Sequence, residues 1–373
     1  MGKAPPRIAL FWDTLRFGGM HRTMLTLAES FLDRGIETEI VLLKRNGKLA
    51  EEVPSEAWIT SLGVQRFITS PLAQYLWQQQ PPVLLSAATY TNRYALLARA
   101  LSRASTSVVI SEHAISTHSG SGSVLPSWAR LQLTKLTYPF ADRVVAVSGG
   151  VADNMSQTLD LRREEIEVIY NPVIGPETSR RAEENVDHPW FSDRSNPVII
   201  GVGRLVEEKD FSTLLRAFAI MYRKRDAGKL VILGEGERRS ELERLADNLE
   251  IRDQVWLPGF VRNPLKYMAR SDVFVFSSRE EGLGNALIEA MACGTPVVST
   301  NCPGGPAEVL KDGKHGRLVP VGDPAALASA IEDALGGHVA SVSRSALDQF
   351  RQDTVAEQYL DILSSAAQER LER

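Results

Sequence analysis

The sequence predicts an α/β protein built from two doubly wound domains with parallel sheets. Three observations carry that prediction. Short apolar, β-rich runs alternate with longer helical patterns along the whole chain. The strand runs are almost continuously apolar rather than alternating, as in parallel sheets covered by helices on both faces. The rhythm also runs twice, and at 373 residues the chain is too long for one ordinary core.

In the first half the strand candidates are RIALFW (7–12), ETEIVLL (37–43), VLLSAA (83–88), SVVIS (107–111) and RVVAVS (143–148). Between the first two lies HRTMLTLAESFLDRG, a helical stretch that stops at Gly35, a residue suited to the turn after a helix. The second half offers PVIIGVG (197–203), KLVILGEG (229–236), QVWLPG (254–259), VFVFSS (273–278), PVVST (296–300) and GRLVP (316–320). Between the halves, residues 171–196 are rich in proline, charge and small polar residues without sustained periodicity, and read as an interdomain linker. Phe350, Val355, Tyr359, Ile362 and Leu363 give the tail an amphipathic helical spacing. The expected organisation is an N-terminal domain over 1–172, a linker over 173–196, a C-terminal domain over 197–349 and a tail helix over 350–373.

Composition narrows the function. A hydrophobic content of 43% with 24% charged residues is that of a globular chain. The formal net charge of −4 gives no reason to expect nucleic-acid binding. Charge is unevenly spread, since Arg93, Arg99, Arg103, Arg130, Lys135 and Arg143 face only Glu112 and Asp142 in that stretch. The two cysteines, Cys293 and Cys302, have neither CxxC spacing nor histidine neighbours, so neither a zinc site nor a disulfide is expected. The N-terminal apolar run is too short for a signal peptide, and no segment approaches the ~20 apolar residues of a membrane span. A cytoplasmic protein is expected, with any membrane contact peripheral.

Ligands of doubly wound sheets bind beyond the carboxyl ends of the strands, and the candidate residues lie there. Gly18 and Gly19 open a helix after the first strand; they read either as a plain turn or as amides that attract a phosphate. His113 follows the strand at 107–111, where it is either structural or in contact with a substrate hydroxyl. Arg204 and Lys209 sit at the start and end of the loop GRLVEEKDF. They either pair with Glu207, Glu208 and Asp210, or neutralise one diphosphate without a metal. Gly234-x-Gly236 lacks the third glycine of a dinucleotide fingerprint, because Arg239 stands there. In SREEGLGNALIEAMACGTPVV (278–298), Glu281 belongs to a loop and Glu289 to the helix after it, with Asn285 as the expected N-cap. The amides of Gly282, Leu283 and Gly284 lie between the two carboxylates and suit a phosphate. Hydrogen bonds from hydroxyls to a carboxylate contribute roughly 1.5–3 kcal/mol each, enough to favour a polyhydroxylated ligand. Cys293 reads as a packed small side chain rather than a nucleophile.

Glu281-x7-Glu289, preceded by GRLVEEKDF, resembles the retaining glycosyltransferases of family 4, which have the GT-B fold of two Rossmann-like domains facing across a cleft. FGGMHR, ADRVVAVSGGV, VIYNPV, LVILGEGERRSEL, LPGFVRNP and GRLVPVGDPAALASAI extend the likeness over nearly the whole chain. HPWF and NCPGGPAEVL are similar to the subgroup that builds bacterial surface polysaccharides and lipid-linked oligosaccharides. The resemblance implies a nucleotide-sugar donor, UDP-linked in preference to GDP-linked, held mainly by the C-terminal domain. It puts Glu289 at the ribose, Glu281 at the donor sugar, Arg204 and Lys209 at the diphosphate, and Gly18 and Gly19 near it. His113 matches a histidine that contacts the donor sugar, although the aspartate that often follows is Ala114 here. The remaining donor contacts it implies are Gly203, Gly259, Phe260, Val261, Asn285 and Leu287, together with the amides of Gly282–Gly284. Members retain anomeric configuration by front-face attack, the departing phosphate taking the acceptor's proton. The chain has no Asp-x-Asp, so a metal-independent grip is expected.

The expected acceptor is a saccharide or a polyprenyl-diphosphate-linked saccharide. The stretch LPSWARLQLTKLTYPFADR (125–143) either lies against an anionic membrane carrying such an acceptor or packs its apolar face on the N-terminal sheet. A GT-B 2-epimerase, a transferase acting on a small-molecule acceptor and a non-catalytic sugar-nucleotide binder are the competing readings. The first would turn over without acceptor, and the last would bind nucleotide without turnover.

Overall fold

A computed structural model of the chain describes residues 7–16, 18–47, 49–63, 69–114, 126–193, 195–339 and 342–372. It divides into two compact units, one of Met1–Pro172 with Gln349–Arg373 and one of Val173–Asp348.

In the first unit, β1 (Arg7–Trp12), β2 (Glu37–Leu42), β3 (Trp58–Ser61), β4 (Val83–Ala87), β5 (Ser107–Glu112), β6 (Arg143–Ala146) and β7 (Ile166–Val168) form one sheet. Their order is β3-β2-β1-β4-β5-β6-β7, and the pairs are parallel. The register sets Leu10 opposite both Ile40 and Leu85. All three side chains are fully buried, as continuous apolar strands require. β3 and β7 carry no expected strand signal: WITS and IEV are four and three residues long and pair on one side only. Outer strands like these need little apolar character.

The tail helix Gln352–Glu372 packs on this unit. Val355, Tyr359 and Leu363 are buried with Met24, Leu27 and Leu85 in one core cluster. Burying a large apolar side chain contributes about 1.5–3 kcal/mol, so the helix is tied to the unit by its own amphipathic face. Polar contacts fix its register: Ser107 Oγ donates to the Ala366 carbonyl at 2.7 Å, and Arg143 pairs with Glu369.

In the second unit, β8 (Val198–Val202), β9 (Lys229–Leu233), β10 (Val255–Gly259), β11 (Val273–Phe276), β12 (Val297–Thr300) and β13 (Arg317–Val319) are ordered β10-β9-β8-β11-β12-β13. Ile200 on β8 faces Val231 and Phe274, again a buried parallel row. The stretch 173–196, expected as an interdomain linker, packs on this unit. The short helix Thr178–Glu183 is held where Arg270 donates to the carbonyls of Ala182 and Glu183, both at 2.9 Å. His188 stacks on Trp256 with ring centroids 3.9 Å apart, and Phe191 meets Tyr267 edge-on. Helices of one or two turns are too short to show periodicity, which is why the sequence hides them.

Candidate functional site

Both sheets reverse their strand order once, and doubly wound folds bind ligands at the carboxyl edge of that reversal. In the first unit the reversal lies between β1 and β4, and in the second between β8 and β11. The residues singled out from the sequence follow these strands.

Arg204 and Lys209 leave β8, and the loop Ser277–Gly284 leaves β11, which pairs with β8. The two loops are stitched together. Ser277 Oγ donates to the Lys209 carbonyl at 2.8 Å, and the Arg279 amide donates to the Glu208 carbonyl at 2.7 Å. The Lys209 ammonium bonds Glu281 Oε1 and lies 5.2 Å from the centroid of the Phe276 ring. Ser278 Oγ donates to the same Glu281 oxygen at 3.0 Å. Lys209 therefore pairs with the carboxylate across the reversal, not with its sequence neighbours Glu207, Glu208 and Asp210. Arg204 is exposed and pairs with no carboxylate among the described residues.

Gly203 matters because of Lys209: a Cβ there would sit 3.3 Å from the Lys209 side-chain stem. The loop after β12 supports Glu281 from behind. Glu281 N donates to the Pro303 carbonyl and Gly305 N to the Gly282 carbonyl, both at 3.1 Å. A Cβ at Gly305 would lie 2.7 Å from backbone atoms of Leu283, so the close approach needs glycine. Gly234 and Gly236 serve a similar purpose. A side chain at either would overlap a backbone carbonyl of the β8 loop, at Gly203 or Leu205. The Gly-x-Gly thus packs loop on loop, consistent with its failing as a dinucleotide fingerprint.

Gly284, at φ 95°, turns the chain into the helix Asn285–Ala292. Asn285 is the first helical residue and not the N-cap expected of it: the left-handed turn requires a residue without Cβ, so the helix starts one position earlier. The positive end of the helix dipole lies at this turn. The Leu287 side chain is fully buried and its N–H bonds the Gly284 carbonyl at 2.9 Å. Leu283 is buried too, and only its backbone can serve. Glu289 is half-buried, one turn before Cys293. The Cys293 thiol lies 3.6 Å from the Leu265 carbonyl. Residues four apart share a helix face, so Glu289 lies on the face whose Cys293 meets Leu265, at the start of the short helix Leu265–Met268. Burial and a nearby glutamate push each cysteine thiol up to about 12, Cys293 by Glu289 and Cys302 by Glu281, so neither is a thiolate nucleophile at neutral pH.

In the first unit, Gly18 and Gly19 begin the helix Gly19–Leu32, which has no side-chain cap. His113 follows β5; its Nε2 lies 3.1 Å from Ser111 Oγ, which lies 3.0 Å from the Tyr359 hydroxyl of the tail helix. Burial, with a smaller contribution from His21, lowers His113 to about 3, so its imidazole is neutral. Sequence reasoning missed Asp13 and His21, which pair at 3.0 Å beside Gly18. Burial disfavours the Asp13 charge, but hydrogen bonds from His21 and Arg16 outweigh it and hold Asp13 at about 2. Phe17, within FGGMHR, lies outside the described residues.

Comparison with known proteins places the chain among relatives. Residues 17–174 match the Glycosyltransferase Family 4 model and residues 183–345 the model for Glycosyl transferases group 1. The chain is 31% identical over 330 residues to the N-acetylgalactosamine-N,N'-diacetylbacillosaminyl-diphospho-undecaprenol 4-alpha-N-acetylgalactosaminyltransferase of Campylobacter jejuni, covering 84% of this chain and 86% of that one. It is 34% identical over 239 residues to the lipopolysaccharide core biosynthesis glycosyltransferase LpsE of Rhizobium meliloti, covering 62% and 67%. A glycosyltransferase from Rickettsia africae has the same fold, with a TM-score of 0.79 at 16% identity and 99% coverage of both chains. Anabaena HepE in complex with UDP and glucose superposes with a TM-score of 0.77 at 21% identity, covering 96% and 99%.

Proposed function

The chain belongs to the family 4 glycosyltransferases, with the two parallel-sheet units of the GT-B fold, and we propose that it transfers a hexose-type sugar from a nucleotide diphosphate, with retention, to a saccharide or lipid-linked saccharide. The observation that carries this reading is the second-unit reversal point, where the Lys209 ammonium rests on Glu281 and the same loop carries an exposed Arg204 that pairs with no carboxylate among the described residues. A diphosphate competes with Glu281 for Lys209 and takes both cations. That releases the Glu281 carboxylate to accept from sugar hydroxyls. Glu289 accepts from the ribose, and the amides of Gly282–Gly284 add donors to phosphate. As the bond between the anomeric carbon and the phosphate oxygen breaks, charge grows on that oxygen, and Arg204 and Lys209 stabilise it without a metal. His113, being neutral, reads a hydroxyl by hydrogen bonding and not by charge. UDP is the favoured carrier on the likeness to surface-polysaccharide transferases, and the Campylobacter relative's name supports a polyprenyl-diphosphate-linked acceptor.

The test is transfer from UDP- and GDP-sugars to a lipid-linked saccharide in EDTA, with the product anomer read by NMR. The expected result is undiminished transfer with the donor's anomeric configuration kept. Inversion, loss of activity on chelation, or turnover of the donor into an epimer without acceptor would contradict the proposal.

No described helix is long and apolar enough to cross a membrane. Peripheral contact at the inner face of the cytoplasmic membrane is part of the proposal, supported by the helix Ser127–Thr137 and the turn after it. Trp128, Leu136 and Phe140 are about two-thirds exposed, while Thr134, Thr137 and Tyr138 make the buried face, the last bonding Glu112. Those three side chains point outward, while Leu131 and Leu133 are half-buried; Leu125, where the stretch begins, is outside the described residues. Replacing Trp128, Leu136 and Phe140 together by alanine should lower co-sedimentation with anionic vesicles about tenfold, since such surfaces bind by buried apolar area and charge. Unchanged sedimentation would rule this face out.

A further inference from the structure

We propose that Asp210 and Arg279 act as positioning residues: their ion pair holds the β8 loop against the β11 loop and sets where the Lys209 ammonium stands. The inference rests on the diphosphate reading above and adds to it two residues that reading does not use.

Asp210 follows Lys209 directly and is the bend of the loop. It sits at φ 44° and ψ 47°, a left-handed conformation that costs a residue with a Cβ about 1 kcal/mol or more. Its side chain is 2% exposed, so its charge needs partners. Three donors supply them: Thr213 N reaches Oδ1 at 3.3 Å, and Thr213 Oγ1 and Arg279 Nε reach Oδ2 at 2.8 and 3.1 Å. The first two cap the helix Phe211–Arg225, and the third crosses to the other loop. Around that crossing, Glu208 and Lys209 are bound to the same strand end through their carbonyls, by Arg279 N and Ser277 Oγ. Three consecutive residues are therefore fastened to 277–279, and the Lys209 side chain has only its own rotamers left to set. The pair also has an electrostatic effect. With Arg279 on Asp210, the carboxylate next to Lys209 neither competes for the ammonium nor repels an incoming diphosphate. Arg279 is half-exposed, so its replacement leaves the core intact.

The test compares Asp210→Asn, Arg279→Gln, Arg279→Lys and the Asn–Gln double variant by calorimetry. Asparagine keeps the left-handed preference and the helix cap while removing the charge. The readout is the preference for a nucleoside diphosphate over its monophosphate, using UDP and UMP or GDP and GMP, whichever pair the wild type binds. Each single variant should reduce that preference about tenfold, the double variant no further than either single, and Arg279→Lys less, as expected for residues in one network. A preference unchanged in Asp210→Asn or Arg279→Gln, whether or not thermal stability falls, would make the pair merely structural. Additive losses would mean that Arg279 grips phosphate by itself, and would also overturn the latch. A wild type that binds neither diphosphate would overturn the diphosphate reading itself, and the latch with it.

Discussion

Glu281→Ala should lose transfer by two orders of magnitude or more while binding free nucleoside diphosphate at least as tightly as the wild type. The split follows from the ion pair. Glu281 pairs with the Lys209 ammonium, so removing it takes away a competitor of the diphosphate. The same change removes the carboxylate proposed to hold the sugar hydroxyls, and losing one preorganised partner of a reacting group typically costs 10²–10³ in rate. Rates with a UDP-sugar and affinities for UDP, or the guanosine equivalents, measure both sides. A parallel loss of affinity and turnover would show that Glu281 does not divide the work in this way.

Lys209→Ala should be the most damaging change to nucleotide binding, with Arg204→Ala next. A charge-assisted hydrogen bond contributes roughly 1.5–3 kcal/mol, which corresponds to about 10–150-fold in affinity. Lys209→Ala carries a further penalty that Arg204→Ala does not. It strands Glu281, 15% exposed, as a carboxylate without its cation where a diphosphate must enter. Adding Glu281→Gln to Lys209→Ala should therefore recover part of the lost affinity. Affinity unchanged in both single variants would remove the diphosphate assignment, and no recovery in the double variant would remove the competition between Glu281 and phosphate.

The fold was legible because its signal is redundant. Long apolar strands such as RIALFW and PVIIGVG announce buried parallel strands individually, and their alternation with helices announces the class. WITS, IEV and the short helices of 173–196 were not legible, since their stability comes from neighbours and not from their own pattern. The site shows the same division. Arg204, Lys209 and Glu281 could be chosen because each lies on a loop that leaves the carboxyl end of a strand. That Lys209 pairs with Glu281 and not with Glu207, Glu208 or Asp210 is a tertiary fact, as is the burial of Leu287. Asp210 and Arg279 look like ordinary loop charges until the fold brings 208–210 onto 277–279. Gly304–Gly305 was the one available hint of a tight loop behind Glu281. His21 was within reach as well, since it lies two residues beyond the Gly-Gly pair.

Thermal stability of the wild type and Lys209→Ala against a panel of UDP-, GDP- and ADP-sugars tests the central claim most directly, because a ligand that binds the native state raises its apparent stability. One nucleotide-sugar class, UDP before GDP, should raise the melting temperature of the wild type, and Lys209→Ala should lose the rise. A wild type indifferent to the whole panel, or a Lys209→Ala variant stabilised as strongly as the wild type, would contradict it.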